Sequence, residues 1–197
     1  MDKLYDKQYL EMIESLPQFE EYEFWKNLQN RKIILNTDIN ESVVERAIIQ
    51  IINWNEEDTG IEPSDRKPIK IYIYSNGGDV IAGLGLIAAI QNSITPVETI
   101  CLGLAASMGA LILISGGKRT IYKNSTVLLH DGSLQVANSS KKAKQTLAFY
   151  DALEKRLRSF IVESTKISEE LYDSKSDEEW YIFGDDALTL GIVDVVI

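Results

Sequence analysis

Cysteine and histidine each occur once in these 197 residues. A single cysteine excludes an internal disulfide and fits a reducing compartment. Cys101 lies in the apolar run Val97-Glu-Thr-Ile-Cys-Leu102, where a small buried hydrophobe is expected rather than a reactive thiol. One His and one Cys cannot furnish the usual closed ligand set for zinc, so neither a metal nor a cofactor is expected. Positive charge is scarce as well: 20 Lys and Arg stand against 30 Asp and Glu, for a net charge of −10. That balance lacks the basic patch a nucleic acid requires, and an anionic membrane would repel it. No apolar run is long enough to span a bilayer, since the longest, about Leu104 to Ile114, is too short. The N-terminus reads Met1-Asp-Lys-Leu-Tyr-Asp6, without the basic and apolar regions of a secretory leader, so a cytoplasmic location is expected. A phosphate-binding P-loop is missing too. Gly116-Gly-Lys-Arg-Thr120 has Arg119 where Ser or Thr is needed, and Ile112 where the first glycine belongs. If ATP drives this protein, another chain hydrolyses it.

What is present is ordinary for a globular domain: 45% hydrophobic and 25% charged residues. The length suits one domain with a large core. Residues 1–30 read as an appendage. Leu4, Tyr5, Tyr9, Met12, Ile13 and Leu16 recur at helical spacing, and Pro17 ends that helix. An acidic, aromatic stretch with Phe19, Tyr22, Phe24 and Trp25 follows. The segment either packs on its own domain or contacts a partner or another subunit.

Residues 31–197 read as α/β. Lys32-Ile-Ile-Leu35 is a short strand, and Asn40 can cap a helix carrying Val43, Val44, Ala47, Ile48, Ile51 and Ile52. Asn55 to Pro68 reads as a polar loop in which Glu56, Glu57 and Asp58 form a solvated run. Ile69–Tyr74 alternates as a strand, and Ser75-Asn-Gly-Gly78 turns the chain into a helix from Asp79 to about Asn92. Further strands are expected at Val97–Leu102, Arg119–Lys123, Thr126–His130 and Ile192–Val196. Helices are expected at Ala106–Ser115, about Ser139–Glu163 and Asp185–Leu190. Strands alternating with helices imply a mostly parallel sheet.

Two turns carry chemistry. Ser75-Asn-Gly-Gly78 places free main-chain N–H groups at a helix start, and its glycines admit a charged oxygen close to the backbone. Ser107, in Gly103-Leu-Ala-Ala-Ser107-Met-Gly109, repeats the strand–turn–helix arrangement at the positive end of a helix. The N–H groups of Gly78 and Met108 can together hold an oxyanion. A serine nucleophile needs a base near neutrality. His130, ending the apolar run Thr126-Val-Leu-Leu-His130, is the sole imidazole available.

Tyr74-Ser-Asn-Gly-Gly-Asp-Val80, Cys101-Leu-Gly-Leu-Ala-Ala-Ser-Met-Gly-Ala110 and Val127-Leu-Leu-His130 resemble the three central motifs of the Clp protease proteolytic subunit (ClpP) family. Asp186-Ala-Leu-Thr-Leu-Gly-Ile-Val-Asp194 resembles its ending. The resemblance implies an α/β protein of the ClpP/crotonase-like fold, with repeated β-β-α/βαβ units. It implies a serine endopeptidase with nucleophile Ser107, base His130 and oxyanion donors at Gly78 and Met108. A peptide substrate is expected as an added strand between Gly77, Asp79 and Val80 on one side and Asp131, Gly132 and Ser133 on the other. It further implies a homo-oligomer of two stacked seven-membered rings, fed by a separate AAA+ ATPase unfoldase.

This chain departs from the family pattern in places. The Ser107–His130 interval is about two residues shorter than in the common bacterial enzymes, and Asp131-Gly-Ser-Leu-Gln-Val-Ala-Asn138 replaces the glycine-rich segment after the histidine. The usual Ser-Pro-Gly-Gly-Ser is Ser-Asn-Gly-Gly-Asp, in which Asp79 reads as a helix cap pointing away from the oxyanion site. These features suggest a divergent member, of a phage-like kind. The family's triad acid falls in Tyr172-Asp-Ser-Lys-Ser-Asp-Glu-Glu-Trp180. Asp177 is the choice here and Asp173 its rival. Asp131 is set aside because neighbouring side chains in a strand face opposite ways. A non-catalytic ring subunit and a crotonase-like acyl-CoA enzyme remain as alternatives. The second accounts for neither Ser107 nor His130.

Overall fold

The computed structural model describes residues 19–132 and 139–197; the expected helix of Leu4–Leu16 lies outside them. Helix α1 (Phe19–Gln29) leads into β1 (Lys32–Leu35) and packs Leu28 against the core, while Tyr22, Phe24 and Trp25 stay exposed. A π-helical turn (Val44–Ile48) runs into α2 (Ile49–Glu57), then come β2 (Ile69–Ser75), α3 (Val80–Gln91), β3 (Val97–Ala106) and α4 (Met108–Ile114). The chain continues through β4 (Lys118–Ile121), β5 (Thr126–Leu129), α5 (Ser140–Ser164), α6 (Glu169–Lys175), β6 (Trp180–Phe183), α7 (Gly184–Thr189) and β7 (Val195–Val196). Alternation works as expected in β2: Ile69, Ile71 and Ile73 are fully buried while Tyr74 points to solvent.

The sheet runs β1-β2-β3-β4-β7, all parallel, as the alternating pattern predicts. One strand organises the site. The first half of β3, Glu98–Cys101, pairs with β4, and its last residues, Leu104–Ala106, pair with β5. Between them Gly103 has φ +92°, and its N–H donates to Ser125 Oγ at 2.7 Å, which pins the start of β5 beside the bend. β5 therefore runs alongside the end of β3, bringing Leu129 to the level of Ser107 and His130 one step beyond. All seven residues of α4 are buried, as befits a helix apolar on every side.

Three expectations need correction. Residues 55–68 are not all loop: α2 runs to Glu57, and Asp58 is 2% exposed instead of solvated. The Arg31 guanidinium grips both Asp58 oxygens, at 2.6 and 2.8 Å, and Thr95 Oγ1 donates to the same carboxylate at 2.6 Å. Composition alone could not separate this carboxylate from its exposed neighbours, because its partners are 27 and 37 residues away. Second, a strand stands where none was expected: β6, antiparallel to β5, lies between α6 and α7. Third, β5 ends at Leu129. The alternation argument that set Asp131 aside thus loses its strand.

The terminal motif is structural. Arg119 donates its main-chain N–H to Asp194 at 2.8 Å and its guanidinium at 2.6 Å, which fastens the end of the chain to β4. The same hydrogen bonds hold the Asp194 carboxyl below its ordinary range.

Candidate active site

Ser107 links β3 to α4 with φ +53° and ψ −123°. Among the described residues only Arg31 shares a positive φ without being glycine. Such strain persists where surroundings over-determine it. Here Ser107 N–H donates to Leu128 O at 2.9 Å, and Ser107 O accepts from Ala110 and Leu111 in the first turn of α4. The serine is thus held on a sharp strand-to-helix turn, the arrangement that presents a nucleophilic hydroxyl.

The Gly77–Gly78 turn is pressed against it. A Cβ on Gly77 would lie 2.7 Å from Ser107 Cβ and 2.8 Å from Ala106 O, and φ is +98°. Gly78 has φ +143°, with Ile39 against it. Ile39 N–H donates to Gly77 O, and Asp79 N–H donates to Ile39 O, both at 2.7 Å. Gly78 N–H takes no acceptor among the described residues. Met108 N–H, the first of α4, has no partner within its helix. Asp79 caps α3 by accepting from Ala82 N–H at 2.7 Å, as expected, and its carbonyl accepts from Gly83. Gly83 in turn lies against the buried Met108 side chain, locking α3 to α4.

Ser107, Met108, Val80, His130, Asp131 and Gly132 line one cavity of about 310 Å3. Ser133 lies outside the described residues. The opposite wall was missed from sequence: Leu153, Leu157 and Ile161 on α5, with Tyr172 from α6. The 4-residue spacing on α5 was the available signal, but nothing in the sequence tells which core that stripe faces. Asp151 and Glu154 line the same cavity. Burial pushes the Asp131 carboxyl up, and nearby Glu154 and Asp177 push it further, while His130 opposes them. Burial, then Asp131 and Glu154, push the Tyr172 hydroxyl up to about 12. Cys101, also pushed to about 12 by burial, is inert.

The two rival acids separate cleanly. Asp173 is gripped by Arg158 at 2.7 and 2.8 Å, and this holds its carboxyl low. Asp177 is exposed, in the turn beside His130–Asp131, where Asp131 N–H donates to Ser176 O at 3.2 Å. No bond joins His130 to Ser107 or to a carboxylate among the described residues; catalytic bonds often tighten only around substrate. Glu179 was overlooked. The β5–β6 register runs from Thr126 with Phe183 to Leu129 with Trp180; the next residues along the two chains are His130 and Glu179, and the Glu179 carboxylate accepts from the Tyr181 hydroxyl at 2.6 Å. The described residues contain no group of three or more His, Cys, Asp or Glu that could hold a metal ion. Nor does any of their helices have the length and apolarity to cross a membrane.

The family model for Clp protease matches residues 18–197. The chain belongs to the Clp protease family. It is 30% identical over 174 residues to "ATP-dependent Clp protease proteolytic subunit 3" of Synechococcus sp. (strain CC9902), covering 85% of this chain and 82% of that protein. It is 29% identical over 189 residues to "ATP-dependent Clp protease proteolytic subunit 2" of Prochlorococcus marinus (strain MIT 9312), covering 90% and 88%. Identity near 30% fits a divergent member of a family of peptidases.

Proposed function

We propose that the protein is a serine endopeptidase, the proteolytic ring of an ATP-dependent protease. The observation that carries this reading is the strained Ser107 turn, tied to β5 and opening on the same cavity as His130. His130 takes the Ser107 proton as Oγ attacks the peptide carbonyl. The N–H groups of Gly78 and Met108 receive the oxyanion, each donor contributing about 3 kcal/mol in the transition state. His130 returns the proton to the leaving amine, and water, activated by the same base, then frees the acyl group. Since Ile39 already holds the outer groups of Gly77 and Asp79, the peptide strand lies along Gly78 and Val80 on one side and Asp131–Gly132 on the other. Gly77 backs the nucleophile.

Asp177 is our choice to steady the imidazolium, supported by its proximity to the His130–Asp131 turn and by Arg158's hold on Asp173. The β5–β6 register favours a second reading in which Glu179 serves. A ring is supported by family membership and by aromatic side chains left exposed around the sheet, among them Tyr74, Tyr122, Tyr181 and Phe183. An AAA+ unfoldase and a cytoplasmic home complete the reading: no P-loop exists in this chain, and both relatives are named as subunits of ATP-dependent proteases. A fluorophosphonate probe tests it: labelling of the wild type, lost in Ser107→Ala, is expected. An intact ring that neither labels nor hydrolyses any peptide would make the chain an assembly subunit instead.

A further inference from the structure

Ser75, the last residue of β2, buries a hydroxyl that takes no part in proton transfer between Ser107 and His130. A buried hydroxyl is satisfied by a single carbonyl. This one bridges two segments: Oγ donates to Thr37 O at 2.7 Å, 38 residues away in sequence, and accepts from Gly77 N–H at 3.2 Å. Two residues beyond Thr37, Ile39 grips the same turn. Its N–H donates to Gly77 O and its carbonyl accepts from Asp79 N–H, both at 2.7 Å. The C=O and N–H of a trans peptide point opposite ways. With Gly77 O held by Ile39, the Gly78 N–H of that same peptide is aimed away from Ile39. Ser75 also meets the other corner of the site. It pairs with Ala105, just before the Ser107 turn, and a Cβ on Gly109 would lie 3.2 Å from Ser75 O and 3.4 Å from Ser75 Cβ.

We propose that Ser75 is a positioning residue for the oxyanion site: its hydroxyl lashes the Gly77–Gly78 turn to the segment after β1 and so fixes the direction of the Gly78 N–H. The inference rests on the serine-peptidase reading and adds a residue that acts through Gly78. The turn needs such a lashing. Gly77 and Gly78, at φ +98° and +143°, have no side chains to resist rotation of the peptide they share. Turned over, that peptide would present Gly77 O, an acceptor, where the oxyanion requires a donor. The bond to Thr37 keeps Ile39 in reach of Gly77 O, and the bond to Gly77 N–H holds the preceding peptide. Only a side chain that donates and accepts at once can make both. Alanine loses the two together, whereas threonine keeps the hydroxyl.

The test is acylation of the assembled protein by a peptide p-nitrophenyl ester and by its thiono counterpart, in which sulfur replaces the carbonyl oxygen. Sulfur is a weak acceptor, so the preference for oxygen over sulfur reads the oxyanion donors. Ser75→Ala should slow acylation by the oxygen ester about tenfold to a hundredfold, the effect of a misplaced donor, and should narrow the oxygen-to-sulfur ratio several-fold. Across pH the plateau should fall while the titration of the base stays in place. Peptide binding to Ser107→Ala, read by fluorescence anisotropy, should be unchanged when Ser75→Ala is added. Ser75→Thr should recover most of the rate. Ser115→Ala removes another buried hydroxyl, one that donates to Ile112 O at 2.7 Å just past the end of α4, and should leave both rate and ratio alone. If Ser75→Ala does not assemble, Ser75→Cys, of similar size and weaker hydrogen bonding, takes its place. A wild-type oxygen-to-sulfur ratio in the variant, whatever its absolute rate, overturns the inference. Absence of acylation and of fluorophosphonate labelling in the wild type overturns the peptidase reading instead.

Discussion

The main-chain N–H of Ser107 donates to the carbonyl of Leu128, two residues before His130, at 2.9 Å. This bond prolongs the β3–β5 pairing of Ala106 with Leu128 by one step. It makes the position of Ser107 and that of His130 a single property of the sheet. The strained φ of Ser107 and the bend at Gly103 serve the same end: β3 must release β4, accept β5 and turn into α4 within a few residues.

The first prediction concerns the nucleophile. Ser107→Ala keeps every main-chain bond of the turn, so the fold and the oligomer should survive. Fluorophosphonate labelling and peptide hydrolysis should both vanish, a loss of about 10⁶-fold in kcat where residual rates can be measured. Mass spectrometry of labelled protein, with sedimentation for assembly, checks both halves. Equal labelling of the mutant would sink the assignment.

Gly77 supplies a test that leaves all reactive groups in place. A methyl group there would stand 2.7 Å from Ser107 Cβ and 3.1 Å from Met108 N, and the φ of +98° disfavours any side chain. Gly77→Ala should therefore displace Ser107 relative to the oxyanion donors and lower kcat about 100-fold. A Gly117→Ala control meets only an ordinary contact at 3.5 Å and should be silent. Peptide turnover in the two variants, at matched folding by circular dichroism, reads the difference.

Much of this was legible from residues alone. The strands and helices of the central sheet follow from periodicity, and the two strand–turn–helix corners, at Gly77–Gly78 and at Ser107–Met108, are readable as corners from the residues themselves. Asp79 was legible too, as a cap. What escaped was whatever depends on tertiary pairing. Asp58 looks like its neighbours until Arg31 and Thr95 are brought to it. The α5 stripe is plain as a stripe, yet its role as a pocket wall depends on where a 25-residue helix lies. Glu179 becomes visible only through the antiparallel register of β6, a strand too short and too acidic in its surroundings to stand out.

A ring is predicted for the working enzyme. Sedimentation should find a species of at least seven subunits. A strictly monomeric protein with full peptidase activity would refute this.

The buried ion pair gives a prediction about pH. Hydrogen bonding to Arg31, reinforced by Thr95, holds the Asp58 carboxyl below its ordinary value against the opposing effect of burial. A carboxylate whose folded pKa is depressed contributes stability that is fully present above the unfolded value of about 3.9 and fades as pH falls through the folded one. Asp58→Asn leaves Arg31 without its countercharge and should cost about 3 kcal/mol at neutral pH. The gap between wild type and mutant should narrow as pH drops below about 4. Chemical unfolding at several pH values measures it, and a gap constant down to pH ~2 would show that the pair is not ionised as described.

The last prediction decides which carboxylate serves His130. An acid at the far ring nitrogen fixes the tautomer and stabilises the imidazolium, and removing its charge in a serine–histidine site costs about 10⁴-fold in kcat. Asp173 is spoken for by Arg158, so Asp173→Asn should loosen the α5–α6 contact and leave the chemical step nearly intact. Asp177→Asn should cut the chemical step by orders of magnitude if the turn beside Asp131 closes onto His130 when substrate binds. If the β5–β6 register extends by one pair instead, Glu179→Gln carries that loss and Asp177→Asn is mild. Single-turnover acylation with a p-nitrophenyl ester, followed across pH for all three variants, separates the chemical step from binding. A variant lacking the true partner should lose the plateau above the base's titration, which mere loosening of a loop would not remove. Near-wild-type rates in both Asp177→Asn and Glu179→Gln would leave His130 oriented by main chain or water, and the site would then be a serine–histidine pair.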